Sequence, residues 1–245
     1  MKKLVVAFFG PRGVGKNYLS EILTRSVSLE TSVKLTAFAD PIKVLVQKIF
    51  GFSPYYLWGP SSSRDVFPID WERNIREAWE GALDVIRWSD KLLTKEERSL
   101  LLKVYDKMYD ECVEVQPVPG PPYVLHKPKT PFTPRYALRE ISEAFKEEFG
   151  QDYWVAKTLA PTDYGVTVIS DGRFPLEAAA VKANKGILIR VFNPKGEILD
   201  DHPTEKCLLD IPDGSYDFKI ANDGEKFDKV AYKRLLDEVI LKVQT

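Results

Sequence analysis

A chain of 245 residues is long enough to bury the core of one large α/β domain, or of a core domain with a substantial insertion. Its 35 lysines and arginines balance 36 aspartates and glutamates, which excludes the basic surplus of proteins that bind nucleic acid non-specifically. Only two cysteines, Cys112 and Cys207, are present, and their wide spacing excludes a disulfide framework and a zinc site.

The first fifty residues alternate between strand and helix patterns. A strand is predicted over 3–9, because residues 4–9 form an apolar run that is too short to span a membrane and is typical of a parallel strand buried on both faces. A helix is predicted over about 15–28, a second strand over 33–38 and a second helix over 41–51. This order is the opening of a parallel α/β sheet.

From residue 52 the pattern changes, and we interpret the following segment as an insertion. Two amphipathic stretches lie near 71–90 and 95–112. Residues 116–134 contain seven prolines, a density that excludes helix and central strand and predicts a long loop, an arm or part of a lid. Helical patterning resumes over 135–159, with a break near Gly150.

The α/β alternation then returns. Strands are predicted over 166–170, 186–192 and 217–222, and helices over 175–184 and from about 225 to 243. The expected fold is α/β, with a five-stranded parallel sheet and helices on both faces. Ligands of such sheets bind at the carboxyl ends of the strands.

A glycine-rich phosphate-binding motif follows the first predicted strand. The segment GPRGVGK satisfies GxxxxGK between a strand and a helix, where backbone N–H groups and the helix N-terminus attract phosphate. The alternative is a glycine-rich turn that binds nothing. The predicted nucleotide-binding residues here are Gly10, Arg12, Gly13, Val14, Gly15, Lys16 and Asn17.

Asn17 occupies the position where this motif usually has the Ser or Thr that holds Mg²⁺. An amide oxygen is also a ligand for hard cations, directly or through water. We therefore predict Asn17 and Asp171 as magnesium ligands, with the metal depending more on Asp171 or Asp40 than in the usual motif.

Seven short segments occur in a characteristic order: GPRGVGK, FADPIK (38–43), GPSSSR (59–64), TPR (133–135), DGRFPLE (171–177), HPTE (202–205) and IANDG (220–224). Together the chain resembles the bacteriophage deoxynucleoside monophosphate kinases, a branch of the P-loop nucleoside monophosphate kinase superfamily. The resemblance implies a three-layer P-loop kinase fold that uses ATP and Mg²⁺ to convert deoxynucleoside 5′-monophosphates to diphosphates.

The resemblance also implies a domain organisation and a set of partners. Residues 1–51 and 160–245 would form the kinase core, and 52–159 an inserted helical region that binds the acceptor and acts as a lid. The expected partners are small-molecule nucleotides, with no stable nucleic-acid binding and no membrane association. A homodimer is allowed, and the expected location is the cytoplasm, that of the host if the protein is phage-encoded.

Five residues would contact the acceptor: Asp40, Lys43, Arg64, Arg135 and Arg139. Asp40 would orient the acceptor phosphate or a magnesium-bound water, or would only cap the helix that starts at residue 41. Arg64 would bind the acceptor phosphate through two N–H groups of its planar guanidinium. Arg135 and Arg139 lie one helical turn apart, so they share a helix face and would both contact phosphate. The alternative for both helix arginines is solvation or pairing with nearby carboxylates.

The third and fifth predicted strands end in polar residues. Asp171 has the position of a carboxylate that organises Mg²⁺, and Arg173 would act with Lys16 and Asp40 in the transfer by stabilising charge. The alternative for Arg173 is a helix pair with Glu177. Asn222 and Gly224 would contact the nucleotide, or form only a strand-to-helix turn.

Aromatic residues of the insertion would stack on a nucleobase or form a small core of their own. They are Tyr55, Tyr56, Trp58, Phe67 and Trp71. His202 has no neighbouring histidine or cysteine, so a metal role is not expected there.

Three other functions fit parts of the sequence. A kinase resembling dephospho-coenzyme A kinase would use a different acceptor. A nucleotide-dependent switch or nucleic-acid ATPase would hydrolyse ATP without an acceptor, although the balanced charge weighs against it. An inactive nucleotide-binding module is suggested only by Asn17.

Overall fold

The computed structural model describes residues 3–66, 83, 87–88, 91–117, 124–128, 132–196 and 206–244. The chain divides into two compact units, one formed by Met1–Ala39 with Val155–Thr245 and the other by Asp40–Trp154. The first unit is therefore discontinuous in sequence, and the second is inserted into it.

The secondary structure of the described residues follows the α/β order. The strands are β1 (Leu4–Phe9), β2 (Val33–Thr36), β3 (Arg87–Trp88), β4 (Lys91–Leu92), β5 (Val113–Pro117), β6 (Val124–Pro128), β7 (Val166–Gly172), β8 (Ile187–Phe192) and β9 (Phe218–Ala221). The helices are α1 (Lys16–Val27), α2 (Asp40–Phe50), α3 (Pro54–Trp58), α4 (Lys95–Cys112), α5 (Pro134–Phe149), α6 (Tyr153–Thr158), α7 (Pro175–Ala183) and α8 (Lys229–Gln244).

The first unit contains one parallel sheet with strand order β2-β7-β1-β8-β9 among the described residues. All four strand pairings are parallel, and β1 in the centre pairs with β7 and β8. The crossovers between parallel neighbours require connections long enough for helices. The structure thus confirms the α/β fold with a five-stranded parallel sheet.

Both faces of the sheet are covered, because the successive side chains of a strand point to opposite faces. Val6 and Phe8 of β1 belong to a buried cluster with Leu19 of α1 and Leu235 of α8. Ala7 and Phe9 belong to a second cluster that includes Val181 of α7. A strand buried on both faces must be apolar throughout, which explains the continuous run LVVAFF.

Helices dominate the second unit. Its core includes fully buried residues of α2, α4 and α5, among them Leu45, Leu101, Met108, Ile141 and Phe145. Helix α5 begins after Thr133, whose hydroxyl accepts the N–H of Tyr136 at 3.1 Å. The break predicted near Gly150 is confirmed: this residue has φ 103° and separates α5 from α6.

The prediction of a long loop over 116–134 was partly wrong. Strands β5 and β6 form a separate antiparallel pair in which Val113 pairs with Pro128 and Pro117 with Val124. In a two-stranded ladder each strand is an edge strand, with one side that forms no backbone pairing. Prolines are therefore tolerated there, and both prolines of this ladder lie in its terminal pairs. Residues 118–123 and 129–131 lie outside the described residues, as does most of the predicted stretch 71–90.

The last helix also begins later than predicted, at Lys229 instead of about residue 225. Asp228 Oδ1 accepts the N–H groups of Val230 and Ala231, both at 3.0 Å, and thereby caps the helix. The capping residue sets the start of the helix, and residues 223–228 form a turn instead.

No helix in the described part of the chain is both long and apolar enough to cross a membrane.

Candidate functional site

The glycine-rich segment GPRGVGK, called the phosphate loop below, connects β1 to α1 in a conformation that requires glycine. Gly10, Gly13 and Gly15 have φ values of 149°, 79° and 90°, which L side chains rarely adopt. A Cβ on Gly10 would lie 2.2 Å from the carbonyl oxygen of Val191, and one on Gly15 would lie 2.2 Å from Asn222 Nδ2. Two of the three glycines are therefore needed for close approach as well as for φ.

Lys16 places its ammonium group inside this loop. Its Nζ donates to the carbonyl oxygens of Gly10 and Pro11, both at 2.7 Å, and only 6% of the residue is exposed. The loop therefore holds a cation next to the N-terminus of α1, where the helix dipole also favours negative charge. This combination fits a phosphate group.

Asn222 braces the phosphate loop from the end of β9. Its Nδ2 donates to Val14 O at 2.9 Å, and its Oδ1 accepts the N–H of Gly224 at 3.1 Å. The structure thus brings Asn222 beside the loop, and nucleotide contact by Asn222 and Gly224 stays a prediction. The side-chain amide of Asn222 binds the backbone of the loop itself, a structural role that the sequence analysis missed.

Asp223 holds the same turn together. Its carboxylate accepts the N–H groups of Lys226 at 2.8 Å and Glu225 at 3.0 Å, and pairs with Lys195 at 3.1 Å. The N–H of Lys226, followed by the Lys195 ammonium and the N–H of Glu225, lowers the pKa of Asp223 to about 2. These contacts within the turn therefore also support the alternative interpretation, in which Asn222–Gly224 only connects β9 to α8.

A β-bulge lies next to Asp171 at the carboxyl end of β7. Ala7 pairs with Ile169, but Phe9 pairs with Gly172, so β7 has one residue more than β1 between the two pairs. A bulge changes the direction of the side chains that follow it. The Phe9–Gly172 pair places Asp171 at the edge of the sheet from which the phosphate loop starts.

The carboxylate of Asp171 binds the backbone after β2. Its Oδ1 accepts the N–H of Phe38 at 2.6 Å, and its Oδ2 accepts that of Ala39 at 3.4 Å. Asp171 therefore orders the two residues that precede Asp40 in the chain. Each carboxylate oxygen has a second lone pair, so these contacts are compatible with the predicted metal role.

Glu177 is a buried carboxylate that the sequence analysis considered only as a partner for the Arg173 side chain. Its Oε2 instead accepts the backbone N–H groups of Arg173 at 2.7 Å and Phe174 at 3.0 Å. Burial, aided by the charge of Asp171, raises its pKa to about 7, although the two N–H groups and Arg173 oppose the change. The Pro175 and Glu177 pair at the start of α7 is a capping signal visible in the sequence.

The described residues contain no group of three or more His, Cys, Asp or Glu side chains that would hold a metal ion alone. Mg²⁺ is usually held by one or two protein ligands together with substrate phosphates. Asn17 lies exposed on the first turn of α1, and Asp171 lies at the carboxyl end of β7. Their role as metal ligands stays a prediction.

In the second unit, Asp40 and Lys43 lie together at the start of α2. Asp40 is the first residue of that helix, and its Oδ1 accepts the indole N–H of Trp58 at 2.8 Å. Lys43 Nζ lies 3.7 Å from the same oxygen. The Asp40 carboxylate therefore has side-chain partners of its own beyond the capping role considered from sequence.

Arg64 belongs to a closely bonded turn, the 3₁₀ helix Ser61–Asp65. Its Nε donates to Leu57 O at 3.1 Å. The buried Ser63 hydroxyl contacts the carbonyl oxygens of Tyr55 at 2.9 Å and Pro60 at 2.6 Å. These bonds fix the position of the Arg64 backbone relative to α3.

The two arginines of α5 have different carboxylate partners. Arg135 binds Asp65 through Nε at 2.6 Å and Nη2 at 3.1 Å, and this hydrogen bonding lowers the pKa of Asp65. Arg139 binds Glu140 Oε1 through Nε at 3.1 Å and Nη2 at 3.0 Å. Both arginines thus have the carboxylate pairing that the alternative interpretation expected, and the pairing of Arg135 connects it to the Arg64 turn.

Phe67, Trp71 and His202, which the sequence analysis singled out, lie outside the described residues. Comparison of the sequence with protein-family models and with curated proteins found no match.

Proposed function

We propose that this protein is an ATP-dependent kinase that phosphorylates deoxynucleoside 5′-monophosphates. The observation that carries the proposal is the loop GPRGVGK between the central strand and α1, with the ammonium of Lys16 enclosed by the loop carbonyls. The strand, loop and helix together form the arrangement that binds nucleotide phosphates in P-loop proteins.

The first unit supplies the nucleotide half of the reaction in this proposal. Lys16 and the N-terminus of α1 bind the ATP phosphates, and Asn17 and Asp171 hold the Mg²⁺ that accompanies them. Arg173, in the turn capped by Glu177, neutralises charge that develops on the transferred group.

The second unit supplies the acceptor half. Arg64 and Arg135 carry planar guanidinium groups that suit a phosphate monoester, and Asp65, the residue after Arg64, binds the guanidinium of Arg135. Asp40 and Lys43 orient the acceptor. The preference for a deoxynucleotide over another phosphate acceptor rests on the ordered set of sequence segments described above.

The chemistry is an in-line transfer. An oxygen of the acceptor 5′-phosphate forms a bond to the γ-phosphorus of ATP, the bond from that phosphorus to the β,γ-bridging oxygen breaks, and ADP leaves. Both substrates are polyanions, so the protein contributes positioning and charge neutralisation, without a covalent enzyme intermediate.

The test is ADP release measured with a coupled assay for each of the four deoxynucleoside monophosphates. The ribonucleotide counterparts, dephospho-coenzyme A and a reaction without acceptor are measured in parallel. We expect ADP release that depends on a deoxynucleotide. Release only with dephospho-coenzyme A, or equal release without any acceptor, would replace the proposal with the first or second rival function.

Replacement of Lys16 tests the phosphate loop itself. Lys16→Ala should lower turnover about a hundredfold or more, because the lysine acts on charge that develops during transfer. Lys229→Ala, which changes an exposed lysine at the start of α8, is the matched control and should retain activity. Near-normal activity of the Lys16 variant would contradict the proposed role of the loop.

A further inference from the structure

Trp58 is an aromatic residue that is partly exposed and yet firmly held. It ends α3, and 39% of the residue is exposed. Ser53 caps the helix by accepting the N–H of Tyr55 at 3.3 Å, and Leu57 next to Trp58 is fully buried. The backbone that carries the indole is therefore anchored on both sides of the short helix.

The indole itself is oriented by charged groups. Its N–H donates to Asp40 Oδ1 at 2.8 Å, and Lys43 Nζ lies 5.9 Å from the centre of the ring. A hydrogen bond to a carboxylate and a cation over a ring both restrict the rotation of a side chain that solvent would otherwise leave mobile. Holding the ring in this way lowers the entropy cost of stacking a ligand on it.

A candidate phosphate-binding group lies on the same segment. Arg64 Nε donates to the carbonyl oxygen of Leu57, the residue directly before Trp58, at 3.1 Å. The Ser63 hydroxyl closes the intervening turn against Tyr55 O at 2.9 Å. The indole of Trp58 and the guanidinium of Arg64 are thus held on one short segment, residues 54–65. A nucleotide has the two matching groups, a planar base and a phosphate.

We infer that Trp58 is the surface on which the base of the acceptor nucleotide stacks, with Arg64 at its phosphate. This inference rests on the proposed function, because it requires an acceptor that carries a base. It assigns Trp58 a role in specificity: Trp58 selects acceptors with a planar aromatic group over other phosphate monoesters. Every base has a π face, so stacking alone is tolerant of base identity.

The experiment measures equilibrium binding of a deoxynucleoside monophosphate and of 2-deoxyribose 5-phosphate to the full-length chain. Trp58→Leu removes the aromatic ring, whereas Trp58→Phe keeps a smaller aromatic ring and removes the N–H that Asp40 accepts. Tyr164→Leu is the matched control, because Tyr164 is an aromatic residue of similar exposure, 44%, and has no role in the proposed function. Circular dichroism confirms that each variant is folded.

We expect Trp58→Leu to weaken binding of the deoxynucleotide roughly 5- to 150-fold and to leave binding of the base-free sugar phosphate within about twofold. Trp58→Phe should recover most of the loss, and Tyr164→Leu should bind like the wild type.

Equal losses in the Leu and Phe variants would overturn the inference and show that Trp58 acts only by holding Asp40. Equal weakening of both ligands, or the same loss in the Tyr164 control, would also overturn it. A wild-type protein that binds no deoxynucleotide would instead overturn the proposed function, and this inference with it.

Discussion

Glu177→Gln should change the pH dependence of stability in a direction set by burial. In the folded protein Glu177 is buried and its pKa is about 7, compared with an ordinary value of 4.5. The folded protein therefore binds this proton more tightly than the unfolded chain. The stabilisation from protonation is fully present below pH 4.5 and is lost as the pH rises through about 7.

The pKa difference sets the size of the effect. A change from 4.5 to about 7 corresponds to about 3 kcal/mol, at about 1.4 kcal/mol for each pH unit. This is a large part of a typical unfolding free energy of about 5–15 kcal/mol. Glutamine does not ionise, and its side-chain oxygen can accept the N–H groups of Arg173 and Phe174 that Glu177 Oε2 accepts.

The assay is urea unfolding followed by circular dichroism, for wild type and variant, from about pH 4.5 to about pH 8.5. The unfolding free energy of the variant minus that of the wild type should rise by about 3 kcal/mol across this range. Glu225→Gln is the control for an exposed carboxylate, and its difference should stay nearly constant. A Glu177→Gln difference that is independent of pH, or that falls, would refute the reasoning.

Three further predictions concern Asn222 and Asn17 of the first unit and Arg64 of the second. Asn222→Ala removes the N–H that Val14 O accepts, so the KM for ATP should rise about 2- to 12-fold, and an unchanged KM would show that the brace is not needed. Asn17→Ser should preserve activity and lower the Mg²⁺ concentration required, because a hydroxyl is the usual ligand at this position; in a magnesium titration, an unchanged requirement for Asn17→Ala would exclude Asn17 from the metal shell. Arg64→Ala should lower kcat/KM for the acceptor roughly 10- to 150-fold and leave ATP binding unchanged, and Arg64→Lys should recover only part of the loss. Equal weakening of ATP binding and acceptor use would make Arg64 a structural residue.

The parallel sheet was predictable because its strands carry their own signal. The apolar run that became β1 must be buried on both faces, and the segments that became β7 and β8 are rich in β-branched residues. Helix ends were less predictable. Asp228 caps α8, but the Asn-Asp-Gly turn before it offered an earlier start with equally good local chemistry.

The second unit shows how pairing overrides local composition. The proline density over 116–134 correctly excluded a central strand, but it did not exclude a two-stranded ladder with Pro117 and Pro128 at its ends. Similarly, the spacing of Arg135 and Arg139 predicted a shared face and pairing with nearby carboxylates, of which Glu140 is the neighbour of Arg139. The partner of Arg135, Asp65, became known only from the folded chain.

The sequence by itself determined the fold class, the position of the phosphate loop and the glycines that its conformation needs, because these depend on neighbours within a few residues. Only the tertiary structure decided that Asn222 braces Val14, that Asp171 orders residues 38–39 and that Glu177 is buried. The first two of these contacts join atoms more than a hundred residues apart in the chain, and the burial of Glu177 depends on what packs around it. No local pattern encodes which distant backbone group a polar side chain will meet, since this depends on how the strands are ordered in the sheet.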